Sequence, residues 1–202
     1  MGSDNTRFLR EFVRDPVHTA AIAPSSTALA EAMVTAVASV GHPTVVELGP
    51  GTGAITAAIQ RRLGGRGRHV AIERHPHWAS LLQQRFPDVD VIHGDVADLT
   101  TILAERGVDP ADAVVSGLPW AAYRGQLVVD LAEVLAPSGV VSQFAYTWSR
   151  WAPARAELAA LRRSFSDVLI SAPIWRNLPP AVVYYARDPV DRAANQGWRG
   201  VR

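Results

Sequence analysis

From Thr44 onward, short apolar runs rich in Val and Ile alternate with longer amphipathic stretches. This alternation is the mark of βαβ units built around a mainly parallel sheet. Strands are predicted at 44–49, 68–73, 89–95, 112–118, 139–146, 166–172 and 181–187, with helices between most of them. Helix ends are punctuated by Asp98 or Thr100 at one start, Gly107 after one stop, Pro137-Ser138-Gly139 after another, and Pro153 opening a helix over 153–165. Only residues 173–180 separate the last two strands, which predicts an antiparallel pair at a sheet edge. Ahead of the sheet, residues 5–14 form a short amphipathic segment with Phe8, Leu9, Phe12 and Val13 on one side. A second helix is expected from a cap at Ser25 or Ser26 through 28–40, ending at Gly41.

The chain of 202 residues holds one domain with a sizeable core, so one active site is sought. With 48% hydrophobic and 19% charged residues, it belongs with folded chains and not with disordered ones. A net charge of +1 supplies no global field to favour nucleic acid or an anionic membrane. Cysteine is absent, which removes disulfides, thiolate catalysis and thiolate metal sites, and lysine is absent too, which removes Schiff-base chemistry. No apolar stretch reaches the roughly 20 residues needed to cross a bilayer, and a cytoplasmic location is expected. The histidines are scattered, and no acid or thiolate joins His75 and His77, so no metal is expected.

The strongest chemical signal is Val45-Val46-Glu47-Leu48-Gly49-Pro50-Gly51-Thr52-Gly53, a buried strand running into three glycines and then a helix over 54–63. Glycines at such a turn let the backbone approach a ligand without Cβ clashes. Their G-x-G-x-G spacing differs from the G-x-G-x-x-G of dinucleotide sites, which disfavours a nicotinamide cofactor. The next strand ends in Glu73, twenty residues after Gly53, where an acid can accept hydrogen bonds from ribose hydroxyls. The third strand ends His93-Gly94-Asp95-Val96 and the fourth ends Ser116-Gly117-Leu118-Pro119-Trp120. Motifs at the carboxyl ends of successive strands point into one crevice, the place where open α/β sheets bind ligands.

The glycine loop resembles motif I of the class I S-adenosylmethionine-dependent methyltransferases. Phe8-Leu9-Arg10-x-Phe12, Ala23-Pro24-Ser25-Ser26, Gln143-Phe144-x-Tyr146 and Asn177-Leu178-Pro179-Pro180-Ala181 extend the likeness. With them the chain resembles the small bacterial phosphatidylethanolamine N-methyltransferases along most of its length, and less closely the ribosomal RNA adenine dimethylases. The resemblance implies a Rossmann-like α/β fold, a seven-stranded mainly parallel sheet in the order 3-2-1-4-5-7-6, and S-adenosylmethionine as cofactor. It divides the chain into an N-terminal helical lid, residues 1–42, and a cofactor-binding core, residues 43–202. It places Ser26, Glu47, Gly49, Gly51, Gly53, Glu73, Arg74, Asp95, Val96 and Ser116 around the cofactor, with Asp95 at the adenine amino group and Val96 against the ring. Nucleobase-methylating enzymes often carry Asp/Asn-Pro-Pro-Tyr/Phe in the fourth motif, and here Ser116-Gly117-Leu118 stands in place of the amide or carboxylate.

Methyl transfer from a sulfonium needs a neutral nucleophile held in line, and a base to take a proton. His18, in the linker after the lid, and Tyr146, after the fifth strand, are the candidate catalytic residues. A loop histidine with a backbone partner accounts for His18 equally well. Glu11, Leu118, Trp120, Tyr123 and Arg176 are the candidate acceptor contacts, with Trp148 and Trp151 as further aromatic walls and Asn177 as a loop residue. In the resembling family the N-terminal segment touches the bilayer. Here residues 1–16 set Arg7, Arg10 and Arg14 against Asp4, Glu11 and Asp15, a balance that gives up electrostatic attraction to anionic lipid. The expected acceptor is therefore a small amine- or indole-bearing metabolite, such as a tryptophan cyclic dipeptide methylated at indole C3. Phosphatidylethanolamine is the first alternative, with peripheral lipid contact through residues 5–14, and RNA adenine the second. No nucleic-acid partner is expected, and the protein is expected to be a monomer or homodimer.

Overall fold

The computed structural model describes residues 26–108, 110–118, 126–147 and 152–190. Strand β1 (Thr44–Leu48) is an inner strand of a seven-stranded sheet, with β2 (Arg68–Glu73) and β3 (Asp90–His93) on one side. On the other side come β4 (Ala111–Ser116), β5 (Leu135–Tyr146), β7 (Ala181–Pro189) and, at the edge, β6 (Phe165–Ile170). The order is 3-2-1-4-5-7-6, as expected. Strands β1 to β5 run parallel, while β7 pairs antiparallel with both β5 and β6.

The two faces of the sheet are covered by different helices, which is why its inner strands read as continuous apolar runs. Val46 and Leu48 of β1 pack with Val70, Ile72, Ile92 and Val114 beneath α4 (Leu99–Glu105) and α5 (Gln126–Val134). The opposite face carries Val45, Ala113, Val115 and Val183 under α1 (Thr27–Met33) and α2 (Ala54–Leu63). A smaller cluster of Ala71, Val91 and Val89 is covered by Ala79 and Leu82 of α3 (Pro76–Arg85). Helix α6 (Ala152–Ser164) leads into β6 and adds Leu161 to the first cluster.

Two expected boundaries need correction. The helix expected over 28–40 ends at Met33 and tightens into a 3-10 turn, Val34–Ala36. Val34 and Val37 are buried as the helical residues are, so the apolar periodicity outlives the helix. Side chains from elsewhere take the carbonyls near its end: the Tyr185 hydroxyl donates to Ala32 O at 2.7 Å, and Arg62 Nε donates to Val37 O at 2.8 Å. The second correction concerns Pro137-Ser138-Gly139, read as a helix stop. These residues lie inside β5, where the register against β4 shifts between Ala111 and Ala113. Turn-like residues thus mark a strand irregularity, a use they share with loops.

Candidate active site

The carboxyl ends of β1, β2, β3 and β4 meet at the glycine loop between Leu48 and α2. Gly49, Gly51 and Gly53 all have positive φ, +66°, +52° and +81°. Gly53 serves as the N-cap of α2, and its N–H donates to Pro50 O at 2.9 Å. Gly49 N donates to Ile72 O at 3.0 Å, tying the loop to β2. The surroundings of the three glycines differ. A Cβ on Gly49 would lie 2.2 Å from Leu118 Cδ2, and one on Gly53 would lie 2.8 Å from Phe86 Cε2. Nothing lies within 4 Å of the Cβ that Gly51 lacks, so its open side is the one a ligand can approach.

Glu73, buried at the end of β2, joins the loop to the start of α3. Its Oε2 accepts from Gly51 N at 3.0 Å and its Oε1 from His75 N at 2.8 Å. Glu47 is fully buried on the α2 face of the sheet, and its Oε2 lies 3.1 Å from His69 Nε2. At the end of β3, Asp95 caps the following 3-10 turn by accepting from Ala97 N at 3.0 Å, with the exposed Arg74 guanidinium 3.8 Å away. Val96 sinks into the core beside Leu99, which leaves Asp95 as the more accessible member of that pair.

The fourth motif closes the crevice. Ser116 is buried, Gly117 N donates to Leu48 O at 2.8 Å, and Leu118 folds over Gly49. Gln143, buried on β5, donates through Nε2 to Leu118 O at 2.9 Å and so holds the motif in place. No role was expected for Gln143; its register partner on β4 is Ser116, a relation that only the strand pairing reveals. Ser26 caps α1 by accepting from Leu29 N at 3.1 Å, and its own N–H donates to Asn177 Oδ1 at 3.0 Å. Asn177 therefore latches the loop before β7 onto the start of α1, and its Nδ2 donates to Pro179 O at 2.7 Å. Arg176 is exposed beside it. His18, Glu11, Trp120, Tyr123, Trp148, Trp151 and residues 5–14 lie outside the described residues.

Tyr146 ends β5 on the face covered by α1, with its ring 5.3 Å from that of Phe144. Burial pushes its phenol from the ordinary 10.0 up to about 12. At neutral pH it is therefore a protonated hydrogen-bonding group and not a base. Burial also raises the phenols of Tyr184, helped by the Glu157 charge, and of Tyr185. The folded state thus keeps protons that the unfolded chain releases above the ordinary value. The associated stability is whole below that value and is lost as pH rises toward about 12. Tyr146→Phe is expected to flatten this alkaline fall in melting temperature, whose contribution from this group is at most about 2–3 kcal/mol. If the variant melts along the parent's alkaline curve, burial of this phenol is not the cause.

Sheet order, glycine loop and acidic strand ends define a class I S-adenosylmethionine-dependent methyltransferase. The model of the ribosomal RNA adenine dimethylase family matches residues 1–117. The ornithine lipid N-methyltransferase of Singulisphaera acidiphila is 41% identical over 188 residues, covering 89% of this chain and 94% of that one. Among solved structures, precorrin 8w decarboxylase of Methanobacterium thermoautotrophicum superposes with a TM-score of 0.62 at 21% identity, over 81% of this chain and 91% of that one. Fibrillarin of Aeropyrum pernix, in complex with natively bound S-adenosyl-L-methionine, gives a TM-score of 0.60 at 18% identity, over 78% and 73%. The chain belongs to the ribosomal RNA adenine dimethylase family of methyltransferases, alongside the ornithine lipid enzyme.

Proposed function

We propose that the protein transfers the methyl group of S-adenosylmethionine to the amine nitrogen of a lipid head group, of the ornithine lipid or phosphatidylethanolamine kind. The observation that carries this reading is the 41% identity to the ornithine lipid enzyme across nearly the whole of both chains. The family model stops at residue 117, within the cofactor half, whereas the lipid relative matches over 188 residues and so reaches into the half that shapes the acceptor side. A further observation agrees with it. Leu169, Ile170, Trp175 and Leu178 are exposed large apolar side chains. Ile170 pairs with Tyr184 near the start of β7, whose Ala181 pairs with Tyr146, so all four lie toward the crevice end of the sheet. Apolar surface there suits an acceptor with acyl chains.

The chemistry asked of the chain is modest. The amine nitrogen attacks the sulfonium methyl carbon in line as the carbon–sulfur bond breaks, and the new ammonium gives up a proton. Orientation supplies much of the acceleration, up to roughly 7–11 kcal/mol in favourable cases. In this reading Gly49, Gly51 and Gly53 receive the amino-acid end of the cofactor, with Glu47 beneath. Glu73 accepts from the ribose hydroxyls, Asp95 meets the adenine amino group above the buried Val96, and Ser26, Arg74 and Ser116 complete the rim. Tyr146 orients the acceptor through its hydroxyl, and His18 takes the proton. Ser116-Gly117-Leu118 lacks the amide or carboxylate that would bind a nucleobase amine, which argues against an RNA acceptor. The indole-bearing metabolite expected from the charge-balanced N-terminal segment gains no support from the relatives. Among the described residues no helix is long and apolar enough to cross a membrane.

Purified protein incubated with labelled S-adenosylmethionine is expected to label ornithine lipid or phosphatidylethanolamine presented in vesicles. It is expected to leave tryptophan cyclic dipeptides and free amines unlabelled. Label confined to the water-soluble pool would overturn the lipid reading.

A further inference from the structure

Glu47 carries the acid of the glycine-loop motif, yet the structure gives it a partner that the motif does not contain. His69 is the second residue of β2, ahead of the apolar run Val70-Ala71-Ile72, and it is buried, as Glu47 is. The register of β1 on β2 sets Val45 opposite His69 and Glu47 opposite Ala71, so Glu47 and His69 are diagonal neighbours on one face. His69 Nε2 stands 3.1 Å from Glu47 Oε2, and His69 Nδ1 stands 2.9 Å from Gln60 Nε2 on α2. With the Gln60 amide donating to Nδ1, that nitrogen carries no proton. The ring proton then sits on Nε2 and is donated to Glu47. The second carboxylate oxygen, Glu47 Oε1, is buried and has no hydrogen-bond partner among the described residues.

A buried carboxylate with one oxygen satisfied and one open is costly unless a donor arrives to complete it. The cofactor assigned to this loop brings one, the α-ammonium of its amino-acid end. We propose that His69 and Gln60 are positioning residues that orient Glu47 and hold its open oxygen ready for that ammonium. The chain Gln60 to His69 to Glu47 fixes the tautomer and the carboxylate plane in the way that outer partners orient catalytic and metal-binding groups elsewhere. The proposal rests on the reading of the glycine loop as the seat of the amino-acid end of S-adenosylmethionine.

The test compares two probes that share an adenosine, S-adenosylhomocysteine and 5′-methylthioadenosine, of which the second lacks the amino-acid end. Wild-type protein is expected to prefer S-adenosylhomocysteine in calorimetric titration. His69→Leu, which removes the donor to Glu47, is expected to weaken that ligand about tenfold or more while shifting methylthioadenosine by less than about twofold. His69→Gln, whose side-chain amide can still donate, is expected to recover most of the preference. Gln60→Leu acts from the surface helix and provides the same selective loss, smaller in size, should His69→Leu fail to fold. Equal weakening of both probes would make His69 a structural residue only, and an unchanged ratio in both His69→Leu and Gln60→Leu would overturn the proposal. A wild-type protein that binds neither probe would instead overturn the reading of the loop itself.

Discussion

Glu73→Ala is expected to weaken S-adenosylmethionine binding by roughly a hundredfold and to lower the melting temperature at the same time. One carboxylate serves two backbone donors, Gly51 N in the glycine loop and His75 N at the cap of α3. Hydrogen bonds to a charged group contribute about 1.5–3 kcal/mol each, and an orphaned buried donor costs a similar amount. Alanine would free both N–H groups, loosen the loop at the glycine proposed to face the ligand, and remove the acceptor proposed for the ribose hydroxyls. Glu73→Gln separates these parts, because an amide oxygen can serve one of the two donors while the amide nitrogen opposes the other. It should fall between wild type and alanine in both affinity and melting temperature. Calorimetry with S-adenosylhomocysteine and a thermal melt check both, and an alanine variant that binds as wild type does would show that neither the loop tether nor a ribose contact from Glu73 contributes to cofactor binding.

The seven strands could be read from the chain because inner parallel strands are buried on both faces, so Val45-Val46 and Val70-Ala71-Ile72 stand out as runs of branched and small apolar residues. The antiparallel β6–β7 pair was legible from the short connection between them. Boundaries failed where burial and local conformation part company: Val37 is buried after its helix has ended, and Pro137-Ser138-Gly139 continue a strand. In the site, the glycine loop and the strand-end acids were legible because each motif is continuous in sequence. The contacts that organise them were not. Gln143 reaches Leu118, Asn177 reaches Ser26 across 151 positions, and His69 reaches Glu47 through strand register. His69 follows Arg68 at the polar start of β2, and its burial, unlike that of Val70-Ala71-Ile72, shows only in the fold.

Gly51→Ala is expected to weaken cofactor binding by roughly fivefold to 150-fold while leaving the fold largely intact, and the reason lies in how the three loop glycines differ. At Gly49 and Gly53 a methyl group would strike Leu118, Leu82 and Phe86, so substitution there disturbs packing and ligand site together. At Gly51 the methyl meets nothing within 4 Å, and the fold's cost is the left-handed backbone alone, about 1–2 kcal/mol for a residue other than glycine. The methyl instead occupies space on the open side of the loop, where a bound amino-acid end would lie against the backbone. Overfilling a fitted site costs typically about 1–3 kcal/mol, which is roughly fivefold to 150-fold in affinity. The expected signature is therefore a loss of binding at temperatures where the variant is still fully folded, with only a modest drop in melting temperature, whereas Gly53→Ala should disturb packing and binding together. If Gly51→Ala binds S-adenosylhomocysteine as wild type does, the cofactor does not pass over this glycine, and the open side of the loop serves the acceptor or solvent.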